Sequence, residues 1–205
     1  MVSQAQQRKR YYTPEEYLAL ERDAEFKSEY LDGQIYAMSG GSPEHNSIAV
    51  NVASELRTQL KDKPCRVFSS DMKVRTSLLG LYSYPDVTVV CGAMRFHDEH
   101  RDVLTNPTLI VEVLSPSTEA FDRGKKFANY QRIASLTDYV LIAQDEARID
   151  HYVRQPDDQW LLSSAVGLDA KLVLVSIGCT LLLSEVYDKV ELPPLPTEEF
   201  ATEER

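Results

Sequence analysis

No apolar run in this chain approaches the length needed to cross a bilayer. The start, Met1 to Arg10, is polar and has no signal-peptide core, so the expected location is the cytoplasm, away from any membrane. Cysteine is scarce. Cys65, Cys91 and Cys179 are odd in number, far apart and without a Cys-x-x-Cys pair, so neither a disulfide framework nor a structural zinc site is expected. Positive charge is also short: 22 Lys and Arg stand against 32 Asp and Glu, a formal net charge of −10. That argues against broad electrostatic adhesion to nucleic acid, while leaving room for a local basic cleft or for a metal that supplies the positive charge. Gly40-Gly41 lacks the Lys-Ser/Thr of a phosphate loop and reads as a flexible turn. There is no internal repeat. With 205 residues, 43% hydrophobic and 26% charged, the composition is that of one globular domain with a full core.

The chain is organised around Thr108-Leu109-Ile110-Val111-Glu112-Val113-Leu114-Ser115-Pro116-Ser117-Thr118. Its Val and Ile content and the following Pro predict a short buried strand. Alternation puts Ile110, Glu112 and Leu114 on one face and Leu109, Val111 and Val113 on the other. A lone carboxylate on such a face must be paired, protonated or metal-bound. Upstream, Tyr84-Pro85-Asp86-Val87-Thr88-Val89-Val90 is a second β-rich run. If the two runs pair antiparallel, Asp86 comes close to Glu112, and two such carboxylates repel unless a cation lies between them. A hard divalent ion takes one or two carboxylates plus water and substrate phosphate. A turn Asp and an unrelated salt-bridged Glu would give the same sequence.

Around this pair the elements read in order. Thr13-Pro14-Glu15-Glu16 opens a helix through about Glu21, with Tyr17, Leu18 and Leu20 as its apolar side. Asp32-Gly33 between alternating apolar residues is a hairpin signal, with Glu29 just before it. Ser42 caps a second helix, in which Ile48, Val52, Leu56 and Leu60 form one core-facing stripe. His45 lies in its first turn, where capping or surface packing is the expected role. Residues 65–75 read as one strand and Leu78 to Ser83 as a loop. His97, Asp98, Glu99, His100 and Asp102 belong to a polar connection whose spacings fit no metal geometry. Asp122, Lys126 and Tyr130 recur every four residues along one side of a further amphipathic helix. Strands are predicted at Asp138–Ala143, Arg148–Val153 and Trp160–Ser164, with Lys171–Ile177 as an added edge and a short helix or strand at Thr180–Tyr187. Tails are expected at residues 1–12 and 191–205, around a domain spanning 13–190.

The series Glu29-Tyr30-Leu31-Asp32-Gly33, Gly41 with His45, Pro85-Asp86-Val87, Glu112-Val113-Leu114-Ser115-Pro116-Ser117-Thr118 and Asp122…Lys126…Tyr130 resembles the Uma2 family, abundant in cyanobacteria and described as "putative restriction endonucleases". The match runs from about Thr13 to Tyr187. The resemblance implies an α+β, restriction-endonuclease-like fold of the PD-(D/E)xK nuclease superfamily: a mixed central sheet flanked by helices. It implies Asp86 and Glu112 as catalytic carboxylates that bind Mg²⁺ or Mn²⁺, with Glu29 as an auxiliary ligand. The superfamily lysine should stand two residues after Glu112, but Leu114 stands there, and the resemblance puts Lys126 in its place. Tyr130, Asp122 and His45 become auxiliary residues. Lys125, turned about 100° from Lys126 on a helix, is expected to contact solvent or substrate backbone. The implied activity is metal-dependent hydrolysis of phosphodiester bonds in nucleic acid, DNA first, by a homodimer. The alternative is a binding or regulatory module that keeps the fold without useful turnover. On the bland reading Lys126 is a solvated partner of Asp122.

Overall fold

The computed structural model describes residues 10–193, so most of both expected tails lies outside the described residues. In chain order the elements are α1 (Pro14–Asp23), β1 (Ser28–Leu31), β2 (Gln34–Ala37), α2 (Pro43–Gln59), β3 (Cys65–Ser69), β4 (Lys73–Arg75), β5 (Tyr82–Ser83), β6 (Val87–Cys91), β7 (Val103–Leu104) and β8 (Leu109–Val113). A broken helix follows: α3 (Glu119–Phe121), a π-helical turn (Asp122–Lys126) and α4 (Phe127–Tyr130). The chain then forms β9 (Asp138–Ile142), β10 (Arg148–Arg154), β11 (Trp160–Val166), β12 (Lys171–Leu174), β13 (Cys179–Leu182) and α5 (Leu183–Val186).

Local chemistry explains several of these bounds. Thr13 and Glu16 cap α1 reciprocally, side chain to backbone in both directions, with Pro14 at the first position. Asp32 and Gly33 take positive φ values of 50° and 80°, the two-residue turn whose twist suits a hairpin. Ser42 accepts from the His45 amide at the start of α2.

The central sheet has six strands in the order β11-β10-β9-β8-β6-β3. β8 and β9 run parallel and every other neighbour is antiparallel, so the sheet is mixed. One face packs on α2, β12, β13 and α5 through Ile48, Val52, Leu56, Leu109, Val111, Val140 and Leu181. The other packs on the broken helix and on a small sheet, β2-β1-β5-β4-β7, through Ile110, Leu114, Leu31, Val74, Phe127, Tyr130 and Tyr139. The alternation read from the sequence of β8 therefore holds residue by residue.

Other expectations are corrected. Residues 65–75 are two strands in different sheets, because the chain turns at Ser70–Asp71. Leu20 is exposed, since α1 buries only the Tyr17–Leu18–Glu21 side. β12 does not extend the central sheet; it pairs with β13 and covers the α2 face. Cys65 and Cys91 stand directly opposite each other on β3 and β6 and form a disulfide, which their sequence separation of 26 had concealed. Closing a loop of that length stabilises by about 3.5 kcal/mol in the chain-entropy picture.

Candidate active site

β6 and β8 pair antiparallel with Val87 opposite Val111, so one further step of register sets Asp86 opposite Glu112. Asp86 closes the end of β6 with its side chain: Oδ2 accepts the Val113 amide at 2.7 Å. The same oxygen lies 3.3 Å from His45 Nε2 on α2. His45 is therefore not merely a capping residue. Its Nδ1 is buried without a hydrogen-bond partner, and a Cβ on Gly41 would approach that atom to 2.7 Å. Gly41 is needed for close approach of the ring rather than for loop flexibility. Asp86 beside the imidazole raises its pKa, more than burial lowers it.

Glu112 points to the helical face and is 4% exposed. It meets Lys126, whose Nζ lies 2.9 Å from Glu112 Oε1, 3.3 Å from Asp122 Oδ1 and 3.6 Å from Glu29 Oε1. The π-helical turn supplies this placement, with Asp122 and Lys126 at its two ends and both buried. Tyr130, one turn on, donates to Glu112 Oε1 at 2.8 Å. Its single proton being spent there, Ser83 on β5 donates to the Tyr130 oxygen at 2.8 Å. Tyr139 anchors the turn by donating to the Asp122 carbonyl at 3.0 Å.

The reading of Lys126 as a solvated surface lysine is overturned: it is 6% exposed. Burial works against its charge, but Glu112, then Tyr130, Glu29 and Asp122, outweigh it and hold the ammonium well above the ordinary lysine range. Burial pushes the Glu112 carboxyl well above the usual range; Lys126 pulls it down, and Asp122 and Asp86 push it further up. Both directions report one condition: three carboxylates share a single buried ammonium, and the cluster is short of positive charge.

Lys125 does turn away, as its helical position predicts, and pairs with Asp32 at 2.8 Å on the surface. Leu114 is packed in the core beside Ile110 and Phe127, so the position two residues after Glu112 has no polar role. Asp98 and Asp102 of the acidic connection both pair with Arg22. Ser83 was missed by sequence reasoning. It lies in a two-residue strand with no motif around it, and only the fold shows that it reaches Tyr130.

The donor set suits a hard cation in one respect and not in another. The internal contacts of Asp86 fall on Oδ2 and those of Glu112 on Oε1, which leaves one oxygen on each for another ligand. Two carboxylates with water suffice for Mg²⁺. Among the described residues, however, no three His, Cys, Asp or Glu side chains form a cage for a metal. Glu29 instead accepts the Tyr84 amide at 3.3 Å and faces Lys126.

Mixed sheets flanked by a few helices make this an α+β protein, and its fold is shared with a solved structure. A solved structure titled as a putative nuclease belonging to DUF820, from Anabaena variabilis ATCC 29413, superposes with a TM-score of 0.71 at 20% identity, over 86% of this chain and 97% of that one. The chain belongs to the Uma2 family, described as "Putative restriction endonuclease", whose pattern matches residues 14–182. Two relatives from Synechocystis sp. (strain ATCC 27184 / PCC 6803 / Kazusa) are similar over most of their length. The uncharacterized protein slr1290 is 39% identical over 175 residues, 85% of this chain and 90% of the relative. The uncharacterized protein sll1609 is 38% identical over 160 residues, 78% of this chain and 90% of the relative.

Proposed function

We propose that this chain is a divalent-metal-dependent endonuclease that hydrolyses phosphodiester bonds of nucleic acid, with DNA as the first substrate to test. The observation that carries the reading is the placement of Lys126 against Glu112, with Asp86 across the strand pair. An isolated structural ion pair has no need of the second carboxylate, of an imidazole paired with it, or of the tyrosine relay. Asp86 and Glu112 would hold Mg²⁺ or Mn²⁺ through their free oxygens. Such an ion supplies Lewis-acid stabilisation of phosphoryl charge and a more acidic bound water.

The chain's own residues do the rest. Lys126 offers the ammonium that Leu114 cannot, placed to hold a phosphate oxygen or orient the attacking water. Tyr130, fixed by Ser83, and Asp122 keep Glu112 and Lys126 in register. Glu29 acts on the shell through Lys126. His45 holds Asp86 in place. Lys125 at the rim meets substrate backbone. The protein works as a homodimer, since cutting both strands of a duplex calls for two such sites. Among the described residues no helix is long and apolar enough to cross a membrane.

A second reading, a nuclease-fold module that binds without cutting, is favoured by the burial of the cluster and by the net charge of −10. Incubation of the purified protein with supercoiled plasmid, single-stranded DNA and RNA, each with Mg²⁺, Mn²⁺ or chelator, separates the two. The nuclease reading requires metal-dependent cleavage that Asp86→Ala abolishes. No cleavage of any substrate, with a melting temperature indifferent to metal, would leave the binding module.

A further inference from the structure

The six-stranded sheet has two edges. The β3 edge is short, five residues, and carries Arg66. The β11 edge is different. Its seven residues, Trp160-Leu161-Leu162-Ser163-Ser164-Ala165-Val166, include no charge, no proline and no glycine. β10 pairs with one side along the whole length, and among the described residues no strand pairs with the other. Leu161 is 60% exposed, Leu162 49% and Val166 60%. Leu161 and Leu162 are consecutive and point to opposite faces, so the edge is apolar above and below its open row of amides and carbonyls. Monomeric sheets blunt such an edge with charges, proline, bulges or a covering segment, and β11 has none of the first two.

We propose that β11 is a docking edge for a second copy of this chain, paired antiparallel with its own twin, so that two six-stranded sheets become one continuous sheet. Three features favour a second copy over another partner. A strand paired with itself about a two-fold axis is isologous, and the contact closes at two copies. Centred on Ser163, the pairing sets Leu161 opposite Ala165 and Leu162 opposite Ser164, large against small. Each copy carries a formal charge of −10, so two copies repel over much of their surfaces, and an uncharged strand is where they approach at least cost. At about 3.4 Å per residue the seam is about 24 Å long. The two-fold axis stands perpendicular to the sheet, which leaves the helical face bearing Lys126 on the same side in both copies.

This proposal names the surface for the homodimer suggested above and does not depend on the chemistry of the site: activity and mass are read separately. Sedimentation velocity or light scattering at micromolar concentration should give twice the chain mass of 23.2 kDa. Leu162→Lys should give the single mass with unchanged circular dichroism, because the side chain is exposed, and a melting temperature that no longer rises with protein concentration. Ser163→Cys should form an intermolecular disulfide on oxidation, while Cys65 and Cys91 are already paired and Cys179 is buried. A wild type of single mass overturns the proposal. So does a dimer that survives Leu162→Lys and leaves Ser163→Cys uncrosslinked.

Discussion

Replacing Lys126 by Met removes the ammonium and keeps most of the volume. In the native cluster Nζ lies 2.9 Å from Glu112 and 3.3 Å from Asp122, with both carboxylates buried. At an effective dielectric of about 20, the nearer pair attracts by about 6 kcal/mol. The cost of taking both charges out of water offsets much of that, so the net loss on breaking such a pair is about 3–5 kcal/mol. The loss should depend on pH. With the cation gone, burial raises the Glu112 pKa unopposed, in the direction it already takes in the native chain. A group whose folded pKa lies above its unfolded value contributes stability that is fully present below the unfolded pKa, about 4.3, and is lost as pH rises through the folded value. The Lys126→Met deficit should therefore be larger near about pH 8 than near about pH 5. Adding Glu112→Gln should recover part of it. Urea denaturation of the single and double variants at several pH values measures all three quantities. A loss under about 1 kcal/mol, the value of an exposed pair, and independent of pH would refute the buried-cluster account.

Tyr130→Phe deletes the hydroxyl between Ser83 and Glu112, and should cost about 1.5–3 kcal/mol in urea denaturation, as for hydrogen bonds to charged groups. Gly41→Ala should push the His45 ring off Asp86, lowering cleavage while changing the melting free energy by under about 1 kcal/mol. Mn²⁺ or Mg²⁺ should raise the melting temperature by ligand linkage, and Asp86→Asn should weaken that response; an unchanged response would remove Asp86 from the metal site. Asp138 is pushed up by burial, but hydrogen bonds from His151, Ser176 and Thr137 outweigh this and hold it below the usual carboxylate range. Its contribution is present above the unfolded pKa and lost as pH falls through the folded one, so Asp138→Asn should be less stable at neutral pH and lose less on acidification, read from melting curves.

Much of this fold was legible because its signals are local. The Thr13–Glu16 cap, the Asp32-Gly33 turn and the four-residue stripe of α2 each lie within one or two turns of chain, and each appears as read. The strand at Leu109–Val113 and its partner at Val87–Cys91 were legible from composition, and the antiparallel pairing supposed for them is the one found. What failed was long-range. Leu20 is the local exception, on the side of α1 away from the buried Tyr17, Leu18 and Glu21. The pairing of Cys65 with Cys91 depends on strand register, which spacing does not encode. The roles of His45 and Ser83 depend on which elements the fold packs beside Asp86 and Tyr130. The burial of Lys126 depends on a π-helical turn that no four-residue period announces.

Glu29, Asp86, Glu112 and Lys126 enter the cluster from four separate stretches of chain, and the most C-terminal of them lies beyond the middle of the sequence. During synthesis no shorter piece can present the assembled charges. A polypeptide still on the ribosome holds isolated, hydrated carboxylates until residues 122–130 have emerged and the π-helical turn has closed over Glu112. The charges of the cluster are thus gathered late in synthesis, once the helix that carries Lys126 has docked.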